Sequence, residues 1–156
     1  MGNIMRRKDK EITDPEELEE ILSKTKVCRV AFRGEEFPYL VPLNYGYKDR
    51  CLYIHSAREG YKIDLLRKEE KVCFQVDVDV KMGDGRNPCD TGMRYRSVIG
   101  FGMARLVSDP AEKLKALEIL IEQCLGRGYA LKPGSESDVE VIRIEIVRMT
   151  GKKSEG

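Results

Sequence analysis

The sequence predicts a mainly β domain with an antiparallel sheet and three helices. Residues 37–47 place Phe37, Tyr39, Val41, Leu43, Tyr45 and Tyr47 on one parity, the period of two that a strand imposes. Residues 72–80 repeat the alternation, with Val72, Phe74, Val76, Val78 and Val80 on one side and Cys73, Gln75, Asp77 and Asp79 on the other. The connections between the first strands are also too short for the crossovers that parallel strands require. At 156 residues the chain is about one domain long, on a prior of roughly 150 residues each.

The elements follow in order. Residues 1–12 are polar and basic and read as a solvated tail, leaving 13–149 as the domain and 150–156 as a second polar tail. Asp14-Pro15-Glu16-Glu17 is a helix start: a capping acid, proline in the first turn, then more acids. Leu18, Ile21 and Leu22 supply the apolar stripe of this helix. Strands are expected over 26–32, 37–47 and 51–57, followed by a short helix over 61–68 carrying Ile63, Leu65 and Leu66. After the strand at 72–80 comes a turn-rich loop, 83–92, of a length more often functional than average. The strand over 95–107 contains Gly100 and Gly102, which suit a bend or bulge. Asp109-Pro110-Ala111-Glu112 opens a third helix, with Leu114, Leu117, Ile121 and Cys124 at helical spacing and Gly126 as terminator. The last strand, 139–149, sets Ile142, Ile144 and Ile146 against Arg143 and Glu145. Six strands so arranged are compatible with a sandwich, an open sheet or a barrel.

Composition narrows the function. The 28 Lys+Arg balance 27 Asp+Glu, for a net charge of +1, so the basic excess of a nucleic-acid binder is missing. No run approaches the roughly 20 apolar residues of a membrane span, and the first residues lack a secretory signal's apolar region. The five cysteines (Cys28, Cys51, Cys73, Cys89 and Cys124) are odd in number and never spaced Cys-x-x-Cys. They read as free thiols in a reducing, cytoplasmic compartment, with no zinc site. A single histidine rules out a multi-histidine metal centre. Gly100-Phe101-Gly102 and Gly126-Arg127-Gly128 lack the third glycine of a dinucleotide fingerprint. Asp77-x-Asp79 lacks the rest of a calcium loop.

Three segments carry chemistry. His55-Ser56-Ala57-Arg58-Glu59-Gly60-Tyr61-Lys62 lies where a strand passes into a helix. Ser56 and Glu59 have capping-box spacing, so one reading is only a well-made helix start. The other is an anion site: free amides and the positive dipole end, joined by the Ser56 hydroxyl, Arg58 and Lys62. Gly60 would allow close backbone approach, and His55 is either structural or catalytic. In Tyr95-Arg96-Ser97-Val98, the arginine and serine either reach a phosphate or face water. In Leu40-Val41-Pro42-Leu43-Asn44, the proline suits an edge strand or a bulge beside a ligand.

Taken in order, these segments resemble the flavin-binding split-barrel family, the group that contains pyridoxamine-phosphate oxidase, and within it the nitroimidazole-resistance branch. The resemblance rests on Tyr39-Leu40-Val41-Pro42-Leu43-Asn44-Tyr45 and on Leu52-Tyr53-Ile54-His55-Ser56-Ala57 with Gly60 and Lys62. It continues through Lys71-Val72-Cys73-Phe74, Tyr95-x-Ser97-Val98-x-Gly100-x-Gly102, Glu112-Lys113 and Ala116-Leu117. It implies a six-stranded antiparallel split barrel, a homodimer with one FMN in each of two interface clefts, and oxidoreductase activity on small molecules such as nitroaromatic or nitroimidazole compounds, with electrons from a reduced nicotinamide. Ser56, Lys62 and Arg58 then meet the FMN phosphate, while the backbone of Val41, Pro42, Leu43 and Asn44 lines the isoalloxazine. His55 and Ala57 lie at its edge, and Tyr95, Ser97 and Val98 complete the cleft, from the other subunit if not the same one. His55 is the implied proton donor, with Cys89 a distant second. The residues typical of a pyridoxal-phosphate substrate site are not recognisable, which argues against vitamin B6 oxidation. Split barrels that hold haem or a deazaflavin, or that store flavin without turnover, are the alternatives.

Overall fold

In the computed structural model, residues 5–85, 87 and 91–156 are described; Cys89 lies outside them. Helices α1 (Pro15–Lys24) and α3 (Pro110–Leu125) begin as the sequence dictates. Asp14 accepts a hydrogen bond from the Glu16 amide at 3.0 Å, and Asp109 accepts one from the Glu112 amide at 2.8 Å. Each satisfies an amide that has no partner one turn earlier. Gly126 ends α3 at a φ of +94°, a conformation that favours glycine. Helix α2 (Tyr61–Lys68) buries Ile63, Leu65 and Leu66, and α1 buries Leu18, Ile21 and Leu22, as their spacing predicts. None of the described helices is long and apolar enough to cross a membrane.

The strands are β1 (Glu11–Ile12), β2 (Val27–Phe32), β3 (Tyr39–Asn44), β4 (Gly46–Lys48), β5 (Cys51–Ser56), β6 (Lys71–Met82), β7 (Met93–Leu106) and β8 (Glu140–Glu155). All pairings are antiparallel, in the order β3-β2-β6-β7-β8-β5-β4, with β1 on the end of β8. Only Tyr45 separates β3 from β4, yet these strands stand at opposite ends of that order. The sheet therefore curls until its ends meet. β3 comes alongside β5 with no ladder between them, and the barrel is split there. Inside, Phe74, Val76, Val98, Ile142 and Ile144 pack with the apolar faces of α1 and α2 in one core. Helix α3 covers part of the outside, over Val141 and Tyr53. It comes so close at Gly46 that a Cβ there would lie 2.7 Å from the Leu120 backbone.

Several expectations change. The strand expected over 37–47 divides because Tyr45 turns fully inward and hands its hydroxyl to the Leu22 carbonyl. The C-terminal tail expected from 150 is strand: β8 runs to Glu155, and Gly151 and Lys152 pair with Ile12 and Glu11, so the N-terminal tail is partly strand as well. Six strands thus become eight. Val80 does not share the face of Val78. Asp79 sits at φ +57° in a bulge that shifts the register of β6 against β7, leaving Val80 52% exposed. The glycines of β7 act as expected, in two ways. A side chain at Gly100 would collide with the Phe74 ring, and the β7–β8 register shifts between Phe101 and Gly102.

Candidate functional site

The segment expected to hold an anion lies at the junction of β5 and α2, with a local structure other than the expected one. Ser56 is not a cap. It ends β5 and turns into the protein, 4% exposed, and its Oγ has no hydrogen-bond partner among the described residues. Gly60 is the residue before the helix, at φ +131° and ψ 164°, and no side chain caps the first turn of α2. The capping box expected from Ser56 and Glu59 is therefore absent. A built Cβ on Gly60 meets nothing within 4 Å, so glycine is required here by its backbone conformation and not by crowding. Exposed Arg58 and half-buried Lys62 form no ion pair among the described residues. An orphaned buried hydroxyl costs about 1–3 kcal/mol when it finds no partner. With the uncapped amides of α2 and two cations without an acid among the described residues in the same segment, it makes a donor set of the kind a phosphate takes.

His55 precedes Ser56 on β5, opposite Val141, with its imidazole exposed on the outer face. Ala57 follows, exposed. Across the split stands β3. Alternation turns Val41 and Leu43 inward, half-buried against the core, while Pro42 and Asn44 face out. The inward side chains of Val41 and Leu43 leave only the backbone of these two residues at the strand's surface, the part of them expected to line a ring. β3 is an end strand laddered only to β2, as its proline suggests. Its other edge faces the split.

One expected grouping does not occur within the single chain. Ser97 and Val98 pair with Lys152 and Gly151 on β8, whereas His55 pairs with Val141. Ten residues of strand between Val141 and Gly151 are roughly 33 Å at about 3.3 Å per residue. In the other direction β2 and β6 stand between β3 and β7. The Val98 side chain is also fully buried in the core, so it cannot touch a ligand. Arg96 is fully engaged, donating to Asp79 at 2.7 and 2.9 Å and to Glu20 at 3.0 and 3.2 Å. Ser97 donates to the Lys152 carbonyl at 3.5 Å, and Lys152 lies 5.9 Å from the Tyr95 ring.

Sequence reasoning missed the outward side of β7. Met93 and Ile99 are 46% and 44% exposed, and Tyr95, Phe101 and Met103 are half-buried. The signal was present: 95–107 is apolar on both parities, which marks a strand covered on both faces. Among the thiols, burial in the core pushes Cys28 up to about 12, and Cys51 is 5% exposed. No group of three His, Cys, Asp or Glu side chains among the described residues is placed to hold a metal.

Comparison with known proteins agrees with this architecture. A family model described as pyridoxamine 5'-phosphate oxidase matches residues 14–153. The crystal structure of a candidate 5-nitroimidazole antibiotic resistance protein from Bacteroides thetaiotaomicron is 30% identical, with a TM-score of 0.81 over 92% of this chain and 86% of that one. An FAD-binding protein from Mesorhizobium loti is 25% identical, with a TM-score of 0.67 over 91% and 96%. The flavocytochrome Anf3 from Azotobacter vinelandii, 20% identical, shares the fold at a TM-score of 0.83 over 98% and 73%. Among curated proteins, none matches the chain.

Proposed function

The chain belongs to the pyridoxamine 5'-phosphate oxidase family, and on that premise we propose that it is an FMN-dependent oxidoreductase that passes electrons from a reduced nicotinamide to small acceptors such as nitroaromatic compounds. The observation that carries the cofactor assignment is the Ser56 hydroxyl, buried without a partner at the uncapped start of α2. In this reading Ser56, Arg58 and Lys62 hold the FMN phosphate. The phosphate distinguishes FMN from riboflavin, and the open space around Gly60 admits it. Pro42, Asn44 and the backbone of Val41 and Leu43 flank the ring system along the free edge of β3, with Ala57 beside it. Bound flavin supplies the two-electron chemistry, and the protein orients it and excludes water. His55, exposed on the same outer face, gives a proton from a ring nitrogen to the acceptor as electrons arrive. Tyr95 and Ser97 come from a second copy, because one chain holds them far from β5. The nitroaromatic acceptor is suggested by the Bacteroides relative. The half-buried free thiols Cys73 and Cys124 suit a reducing, cytoplasmic setting.

The deciding experiment is the absorption spectrum of the freshly purified protein, with release and identification of its chromophore. The expected result is a flavin spectrum yielding FMN, bleached by reduced nicotinamide and restored by a nitro acceptor. A colourless protein that also fails to bind added FMN overturns the proposal. A Soret band lost on His55→Ala replaces flavin with haem. A yellow protein that turns over no acceptor is a flavin store.

A further inference from the structure

We infer that the Lys113–Glu140 ion pair positions the phosphate site. Lys113 holds the Glu140 carboxylate off Ser56, leaving the serine hydroxyl free for a phosphate and cancelling a charge that would repel one. The inference rests on the reading of Ser56 as a phosphate contact, and it brings in two residues outside the 56–62 segment.

The ladder between β5 and β8 ends on the rung that pairs Ser56 with Glu140. Residues directly opposite on antiparallel strands share a face, with Cβ atoms about 4.5–5.5 Å apart. Val139 and Val141 turn outward under α3, so alternation sends Glu140 to the side of Ile142 and Ser56. A hydrogen bond to a carboxylate is stronger than one to a neutral acceptor. Glu140 is therefore the acceptor in the chain best placed for the buried Ser56 hydroxyl. Yet the two do not bond, and Ser56 Oγ has no partner among the described residues.

Helix α3 supplies the reason. Lys113 lies three and four residues before Ala116 and Leu117, which pack with Val141, so it shares their face of the helix. From there its ammonium donates to Glu140 Oε2 at 3.3 Å and to the Val139 carbonyl at 3.2 Å. The bond to the main chain anchors the ammonium independently of the carboxylate it holds. Lys113 is only 14% exposed, so solvent screens this pair less than a surface pair.

Without Lys113 two things change. The carboxylate gains the freedom to accept from Ser56, which removes the donor a phosphate needs. Its charge also stands bare. A single negative charge about 6 Å from a phosphate weakens binding roughly five- to tenfold even at the dielectric of water, about 80.

Two measurements test the inference. In flavin fluorescence titrations, Lys113→Met should weaken FMN roughly five- to tenfold and leave riboflavin unchanged. Adding Glu140→Gln to that chain should restore FMN to within about twofold of wild type. Equal losses for the two ligands, or no rescue by Glu140→Gln, would make Lys113 a packing residue and overturn the inference. The second measurement needs no cofactor. Freed by Lys113→Met, Glu140 should accept from Ser56. Ser56→Ala, neutral in the wild-type chain, should then lower Tm by about 2–4 °C in the Lys113→Met chain. The same response to Ser56→Ala in both chains overturns the inference, whether or not flavin binds. Lys113→Ala, with the best helix propensity, replaces Lys113→Met in both experiments if that variant does not fold. A wild type that binds FMN no better than riboflavin, with the Tm coupling intact, removes the phosphate reading and not the hold of Lys113 on Glu140.

Discussion

Helix α1 and helix α2 begin in opposite ways, and the contrast separates structure from function in this chain. Around α1 the cap and most of the charged groups are committed. Asp14 caps the helix, Lys24 reaches Asp79 at 2.6 Å, Glu20 and Asp79 share Arg96, and Lys153 reaches Glu17 at 3.1 Å. Asp79 makes these contacts from a left-handed backbone, at φ +57°. At the start of α2 the groups of the 56–62 segment are not: no side-chain cap, an orphaned hydroxyl, and two cations without acids among the described residues. A protein gains stability by pairing such groups, so a place that leaves them unpaired is where a ligand is expected to do so.

The largest break in that contrast should come from Lys62→Glu. Reversing a charge about 4 Å from a phosphate carrying one to two negative charges costs about 2–4 kcal/mol even at the dielectric of water, about 80. FMN should therefore bind roughly a hundredfold more weakly, while riboflavin, lacking the phosphate, should change little. Flavin fluorescence titrations measure both. Equal losses for the two ligands would put the phosphate elsewhere.

A paired substitution of middling size sharpens the comparison. Asp14→Ala removes a working cap and should cost about 1 kcal/mol, lowering Tm by about 2–4 °C for a chain of this size. Ser56→Ala removes an equally small polar group, but one whose hydroxyl is buried without a partner. Deleting it should leave the stability of the free protein unchanged or slightly raised, while weakening FMN. Thermal melts with and without FMN separate these effects. A Ser56→Ala variant as destabilised as Asp14→Ala would show that the hydroxyl already has a partner.

The same contrast explains what the sequence could reveal. Both Asp-Pro starts were legible because capping is local: the acceptor and its amide lie two or three residues apart. The alternation in β6 was legible up to Val78, and so were the inward isoleucines of β8. The bulge at Asp79 was not, and the partners of its carboxylate, Lys24 and Arg96, are 55 and 17 residues away. For the same reason residues 150–155 looked like a tail: their polarity is genuine, but their strand is made by β7 and β1. At the site, the identities of Ser56, Gly60 and Lys62 were legible. The orientation of Val98 was legible only through parity with Gly100 and Gly102. That residues 95–98 lie far from His55 depends on which end of β8 each one pairs with, and no local pattern encodes it.

The smallest expected effect tests the committed side by acid. Hydrogen bonds from Lys24 and then Arg96 hold the Asp79 carboxyl below its ordinary range, and Arg96 does the same for Glu20. Ordinary values for such carboxyls are about 3.9 and 4.3. A carboxyl depressed in the folded state contributes stability that is complete above those values and is lost as pH falls through the lower, folded ones. Melting temperature should therefore stay level from about pH 7 to 5 in this respect and decline below about pH 4. Because these carboxylates lie at the surface, the decline should be shallow and flatten further in molar salt. Arg96→Gln should remove much of it, since Glu17, Glu20 and Asp79 all turn to that one guanidinium. FMN binding supplies the contrast, because Arg96 lies on β7 and the proposed phosphate contacts Ser56, Arg58 and Lys62 lie at the end of β5 and the start of α2. If Arg96→Gln weakened FMN as strongly as Lys62→Glu, the two helix starts would not be separable, and the division between a committed and an uncommitted start would fail.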